Sequence, residues 1–279
     1  MAPGPANPGV FTGREGFVEV AEDQCYCPGW YAEKGTDEQQ HFAELMEWVC
    51  LASCVAVLVL NGAVFMRLGR KAVSWEVIYV MTIVGAFYVW QLSFPFDSPV
   101  MVFLDTGNFV VMLRYGQWLF CTPVLLVLTA DMLGRHLHYT FNDMYMVIAD
   151  VFAVTIFVFG CLTTSFVVKA GCYALSSFGF IYLFVPAWRC FKELESDVPT
   201  ESMRFVVQLL RIVFFVGWNL HTLFSTINPE NMGLLKAVPA EIFAVFSDMV
   251  AKVAFCLLAT VLRAQMHYYI EKHGDPDKP

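Results

Sequence analysis

The chain has 279 residues, of which 58% are hydrophobic, 16% aromatic and 15% charged, with a formal net charge of −8. Soluble domains carry about 25% charged residues, so this composition excludes a soluble enzyme, a disordered chain and a free nucleic-acid binder. A spanning helix needs about 20 apolar residues, and this length holds seven of them with short connections.

Residues 1–44 form a polar head with eight acids and two bases. A secretory signal wants a basic start and an early apolar stretch, whereas Met1–Tyr31 is rich in Pro, Gly and acid, so a cleaved leader is not expected. The apolar runs then predict spans at 45–67, 76–96, 109–133, 144–166, 170–191, 204–226 and 237–263. Turn residues separate them: Gly69 to Lys71, Asp97 to Pro99, Gly134 to His136, a tight link at Val168 to Gly171, Lys192 to Thr200, and Asn228 to Asn231. The expected organisation is an extracellular segment 1–44, a membrane domain 45–264 and a cytoplasmic tail 265–279, with no second domain and no repeat of fixed period.

Lysine and arginine set orientation, because cytoplasmic loops carry the excess. One side of the bundle holds Arg67, Arg70, Lys71, Arg135, Arg189, Lys192, Arg204, Arg263, Lys272 and Lys278. The other holds Arg14, Lys34, Lys169 and Lys236, with Arg114 just inside a span. This asymmetry puts the N-terminus outside the plasma membrane. Nine cysteines cannot all pair within one chain. Seven lie in apolar runs or at their ends and read as packed thiols. Cys25 and Cys27 stand apart in the polar head, too few for a metal site and placed for disulfides in an oxidising compartment.

Charges at bilayer depth cost about 2.5–3.5 kcal/mol each on insertion scales, so they point to function. Lys252 lies ten or more residues from either end of the seventh span. One reading is a structural ion pair. The other is an amine that condenses with an aldehyde to a Schiff base, since a desolvated amine is readily nucleophilic. Asp248 is one turn away on the same face and suits the counterion. On the third span Arg114, Gln117 and Cys121 share one face, with Trp118 and Thr122 on the next. Trp118 and Trp218 read either as packed aromatics or as the two walls of a polyene site. Asp150 on the fourth span needs a partner, for which Thr122 is a candidate.

Seven helices with an external N-terminus fit a G-protein-coupled receptor or a microbial rhodopsin, and the end motifs of the receptor's third and seventh helices are absent. At Glu22-Asp23-Gln24-Cys25-Tyr26-Cys27-x-Gly29-Trp30, Trp75-Glu76-x-Ile78-Tyr79-Val80, Leu113-Arg114-Tyr115-x-x-Trp118-Leu119-x-x-x-Pro123 and Asp248-Met249-x-x-Lys252, the chain resembles the channelrhodopsins of green algae. The resemblance runs from about Asp23 to Gly274. It implies an all-α seven-transmembrane-helix bundle of the microbial rhodopsin type, with all-trans retinal on Lys252 and Asp248 as counterion. It implies a light-gated pore in each protomer, and a dimer joined through disulfides at Cys25 and Cys27. A retinal pocket is expected from Gln117, Trp118, Cys121, Thr122, Asp150, Trp218 and His221. The pore and its gates are expected at Cys54, Glu76, Val84, Gln91, Arg114, Val253 and Arg263, with Glu76 and Arg263 forming the inner constriction.

The sequence also departs from that family. The glutamates along the second helix of cation-conducting relatives fall on Val84, Gln91 and Pro95, and a neighbouring lysine falls on Phe87. The usual carboxylate of the third helix matches Gln117, the Thr-Cys pair is reversed to Cys121-Thr122, and an aromatic-Pro pair on the sixth helix becomes His221-Thr222. A proton pump would want an acid where Gln117 stands and another further along the same helix, but Val124 to Ala130 holds none. A pore lining sets ion sign, and rings of acid suit cations. The expected function is therefore passive, light-gated anion conductance, chiefly of chloride, with no enzyme activity, no metal and no partner beyond lipid, permeating ions and a second copy of the chain. The alternatives are a cation or proton channel drawing its potential from Glu76, Glu230 and Glu241, and a photosensor closed by Cys54, Val84 and Val253.

Overall fold

The computed structural model describes residues 36–93, 100–103, 108–132, 141–163, 165–228, 234–235 and 237–274. Cys25, Cys27, Pro95 and Glu230 lie outside them. Among the described residues the chain forms seven long helices and one short β-ribbon.

Helix α1 spans Asp37–Leu68 and begins eight residues ahead of the apolar run. A capping box starts it there: the Thr36 hydroxyl accepts from the Gln39 amide at 3.3 Å, and the Gln39 side chain accepts from the Thr36 amide at 3.2 Å. Gly69 ends it at φ +79°, a conformation L side chains rarely adopt, and donates back to Phe65 at 2.9 Å. A single 3₁₀ turn at Arg70–Ala72 leads into α2, Trp75–Ser93.

The third apolar run is divided. Strands β1, Val100–Phe103, and β2, Asn108–Val111, pair antiparallel with Val100 opposite Val111. Helix α3 starts only at Met112 and runs to Asp131. Residues 109–111, expected as helix, are strand: the β-branched Val110 and Val111 suit extended backbone and pair with Met101 and Val100. Helix α4 is Phe141–Cys161 and α5 is Phe166–Asp197. The tight link between them sits near residues 162–165, not at Val168 to Gly171, which form the first turns of α5. At 32 residues α5 is about 48 Å long, well past a hydrocarbon core of about 30 Å. Helix α6, Glu201–Ile227, is capped by Thr200, whose hydroxyl accepts from the Met203 amide at 3.3 Å. Helix α7 runs from Ala237 to His273 and widens into a π-helical turn at Met249–Ala254. It therefore continues ten residues beyond the expected span.

Six of the seven helices are long and apolar enough to cross a membrane by length and composition. Helix α3 is not among them, because Arg114 and Gln117 in its first turns dilute its apolar residues. Sequential helices pack side by side, and α7 closes the ring by packing against α6 and α1. The outer faces show Met66, Phe166 and Phe178 to the surroundings, the pattern expected against lipid. Hydroxyls within these helices bond back one turn, as the buried Thr129 does to Leu125 and Thr260 to Cys256, both at 2.9 Å, which satisfies them inside the bundle.

Gly217 sets the distance between α6 and α7. A Cβ at this position would lie 2.6 Å from Ala251 Cα, next to Lys252. Backbone cannot swing aside as a side-chain tip can, so Gly217→Ala is expected to cost about 1–3 kcal/mol of overpacking. Thermal denaturation should show it as a fall of about 2–4 °C in Tm for each kcal/mol.

Candidate functional site

The π-turn of α7 carries Lys252 into the bundle, where the side chain is fully buried. Among the described residues it is the one buried lysine. Its Nζ donates to Asp248 Oδ1 one turn earlier and to Gln117 Oε1 on α3 at 2.9 Å. Asp248 also accepts from the Tyr88 hydroxyl on α2 at 2.8 Å, through Oδ2. His221 on α6 completes the surround, with Nε2 3.5 Å from Asp248 Oδ1. A buried ion pair survives only when its remaining hydrogen-bonding capacity is met, and Tyr88 and Gln117 supply that here.

Lys252 lies at the wall of a cavity of about 40 Å³. Trp118, Phe157, Phe180 and Trp218 form much of its lining. Asp150 reaches it from α4, held by a 2.7 Å hydrogen bond from Thr122, and Thr122 also bonds Trp118 O at 2.8 Å. Polar atoms remain without hydrogen bonds around this space: Gln117 Nε2, Trp118 Nε1, Asp150 Oδ1 and both ring nitrogens of His221. An apolar cleft with a few convergent polar groups is the usual form of a small-molecule site.

Two polar clusters flank the buried lysine. Toward the end of the bundle where α1 begins, Arg114 pairs with Glu241 at 2.6 Å. Gln91 Nε2 donates to Glu241 at 2.6 Å and to Glu47 at 2.8 Å, so α1, α2, α3 and α7 are tied at one level. Arg114 also lies over the rings of Phe87 and Phe224, 5.8 and 5.6 Å from their centroids. Toward the opposite end, Arg263 reaches Asp131 at 3.0 Å and Glu76 at 3.8 Å, and Ser74 donates to Glu76. Arg263 is thus closer to Asp131 than to Glu76, the partner expected from sequence. Both acids come from helix ends that converge on α7.

Cys54, Val84 and Val253 are buried in one core cluster with Cys121. Six of the seven described cysteines are buried and Cys172 is half-buried. No group of three or more His, Cys, Asp or Glu able to hold a metal occurs among the described residues.

A family model described as bacteriorhodopsin-like protein matches residues 39–266, most of the chain. The chain belongs to the bacteriorhodopsin-like family of microbial rhodopsins. Bacteriorhodopsin-I of Haloquadratum walsbyi is 25% identical over 154 residues, which cover 55% of this chain and 59% of that relative. The match therefore spans less than two thirds of the curated relative's length. Among solved structures, the red light-activated channelrhodopsin Chrimson superposes with a TM-score of 0.81 at 26% identity, over 92% of this chain and 87% of that one. Thermophilic rhodopsin from Rubrobacter xylanophilus superposes with a TM-score of 0.69 at 18% identity, over 82% of this chain and 99% of that one, and shows the fold alone.

Rhodopsins of this family generally bind retinal on a lysine, and their members are mostly channels, pumps and sensors rather than enzymes. The residues present fit that group. The cavity has a buried amine in its wall, an aromatic and aliphatic lining for a polyene, and unfilled hydrogen-bonding capacity grouped near the amine.

Of the residues singled out from sequence, the structure brings Asp248, Gln117 and His221 around Lys252, and Trp118, Thr122, Asp150 and Trp218 to the cavity. Cys121 is buried, but in the apolar core beside the lysine rather than in the cavity lining. Sequence reasoning missed Tyr88, Glu47 and the pairing of Asp131. Helical spacing would have found two of these. Val84, Tyr88 and Gln91 share one face of α2 at i, i+4 and i+7, and Glu47, Cys50 and Cys54 share one face of α1 at i, i+3 and i+7.

Proposed function

We propose that this rhodopsin is a light-gated channel, with retinal carried on Lys252, that passes anions, chiefly chloride, down their gradient. Retinal bound at Nζ supplies light absorption and a change of shape beside α3, α6 and α7. The chain's own residues do the rest. Asp248 balances the charge at Nζ, Tyr88 and Gln117 hold that pair in place, and Trp118 and Trp218 confine the polyene.

The observation that carries the anion reading is the buried face of α2. From Val77 through Val80, Met81, Val84, Phe87 and Tyr88 to Gln91 it holds no carboxylate, and its one buried acid, Glu76, lies at the helix start. Two unit charges 4 Å apart interact by about 4 kcal/mol at an effective dielectric of 20. A path without such acids presents a correspondingly lower barrier to an anion, and the buried Arg114 stands at its mouth. The two polar clusters act as gates in this reading. Their hydrogen bonds and ion pairs must part before a hydrated ion enters. The protein sits in the plasma membrane with its N-terminus outside. It works as a homodimer, joined through Cys25 and Cys27, and its resting chromophore is all-trans.

One observation favours the cation or proton alternative. Each cluster sets two acids against one arginine, Glu47 and Glu241 against Arg114, and Glu76 and Asp131 against Arg263. Whole-cell recording under light, with retinal supplied, separates the two. Replacing most external chloride by a large impermeant anion is expected to move the reversal potential toward the new chloride equilibrium. A potential that ignores chloride and follows sodium or pH would overturn the anion assignment and make Glu47 and Asp131 the selectivity residues.

A further inference from the structure

Helix α6 places a histidine against the carboxylate that balances Lys252. His221 lines the cavity, its ring stands edge-on to Trp118 with centroids 4.8 Å apart, and its Nε2 is 3.5 Å from Asp248 Oδ1. Neither of its ring nitrogens has a hydrogen-bond partner. This is unusual at such depth, where polar atoms are nearly always paired. A neutral imidazole always carries one nitrogen with a free lone pair, so His221 brings an unused proton acceptor to the ion pair.

The other neighbours of Lys252 are less suited to keep a proton. Gln117 Oε1 accepts a hydrogen bond from Nζ at 2.9 Å, but an amide oxygen does not take up a proton at ordinary pH. Asp248 keeps the hydrogen bond from the Tyr88 hydroxyl on Oδ2 when the donor at Nζ is lost. Donors to a carboxylate favour its charged form. The remaining charged group acting on His221 is Arg114 of α3, itself neutralised by Glu241 of α7. Asp150 of α4 lines the same cavity and is engaged by Thr122. The α5 residues in the cavity lining, Tyr173, Ser176, Ser177 and Phe180, carry no charge.

We propose that His221 Nε2 is where the proton released by Lys252 Nζ comes to rest, reached across Asp248. The N–H bond at Nζ breaks and leaves its electron pair on nitrogen. The proton passes along Asp248 Oδ1, and a new N–H bond forms from the lone pair of His221 Nε2. No electrons are exchanged. The interior keeps its charge balance, because a cation beside the Asp248 carboxylate at Nζ becomes a cation beside the same carboxylate at His221. A small turn of the imidazole closes the 3.5 Å gap. The histidine thereby takes the part of the carboxylate that Gln117 lacks. The inference rests on Lys252 as the attachment point of retinal.

The test uses the full chain with retinal, with histidine ring nitrogens labelled with ¹⁵N, followed by flash absorption and time-resolved infrared spectroscopy. A near-ultraviolet species marks loss of the proton from Nζ. An imidazolium band that shifts with the label is expected to rise with it and to vanish in His221→Phe and His221→Gln, in which the yield of the near-ultraviolet species falls several-fold. The glutamine variant keeps a polar side chain in the site, so a loss shared by both variants reports the missing acceptor and not disturbed packing. The proposal is overturned by a carboxylic-acid band without a histidine band, by an unchanged yield in both variants, or by the absence of any near-ultraviolet species in the unsubstituted protein. Failure of the underlying reading looks different: visible pigment never forms, or it forms equally in Lys252→Ala.

Discussion

Lys252→Ala is expected to reduce visible absorption of the retinal-supplied protein to the level of membranes lacking it. Lys252 is the one buried lysine among the described residues and lies in the wall of the cavity. No other described amine is within the bundle to replace it. The substitution also strands Asp248 as a buried charge, and breaking a buried pair from one side costs about 3–5 kcal/mol, so a loss of pigment alone would not separate anchoring from folding. The separating measurement is a rescue. Truncation to alanine removes Cγ, Cδ, Cε and Nζ, and retinal supplied as its imine with n-propylamine restores these atoms without the covalent link. Visible absorption that returns with the imine, but not with free retinal, identifies Lys252 as the anchor in a folded protein. Pigment in the variant with free retinal alone would refute the assignment.

Asp248→Asn is expected to have the second largest effect, a shift of the pigment from visible to near-ultraviolet absorption at neutral pH that acid reverses. Asp248 is the carboxylate in contact with Lys252, and Gln117 occupies the position facing it from α3. The sign follows from charge. A carboxylate beside Nζ favours the protonated cation, and burial favours the neutral form. Removing the carboxylate leaves burial unopposed. An interaction of about 4 kcal/mol, the value for unit charges 4 Å apart at an effective dielectric of 20, corresponds to about a thousandfold change in proton affinity. A pH titration of the absorption spectrum measures it directly. A spectrum and titration identical to those of the unsubstituted protein would transfer the counterion role to another group. The acid in the cavity lining is Asp150.

Both expectations came within reach of the sequence because they depend on one helix. A lysine in the middle of an apolar span is visible as a charge that cannot reach water, and an aspartate four residues earlier must share its face. The same is true of the uncharged face of α2, where Val84 and Gln91 are seven residues apart. Helix ends were less legible. The apolar run of the third span does not show that residues 108–111 turn into a strand, because a short apolar β-branched segment satisfies both periods. The first span begins early because Thr36 and Gln39 cap each other, a polar signal that hydropathy ignores.

What the sequence determined by itself is therefore local: seven apolar runs, the one deep lysine with its aspartate, and the missing acids of α2. These follow from the cost of burying charge and from the 3.6-residue repeat, which act along a single helix. The tertiary structure alone decided which helices share their polar groups. Tyr88 meets Asp248 across 160 residues of chain, Arg114 meets Glu241 across 127, and Gln91 draws in Glu47 across 44. It also turned Arg263 toward Asp131 in preference to Glu76, and set His221 unpartnered beside Asp248. Such pairings depend on the rotation and crossing of each helix within the closed ring. Close approaches like that of Gly217 to Ala251 fix these through packing that a linear pattern does not encode.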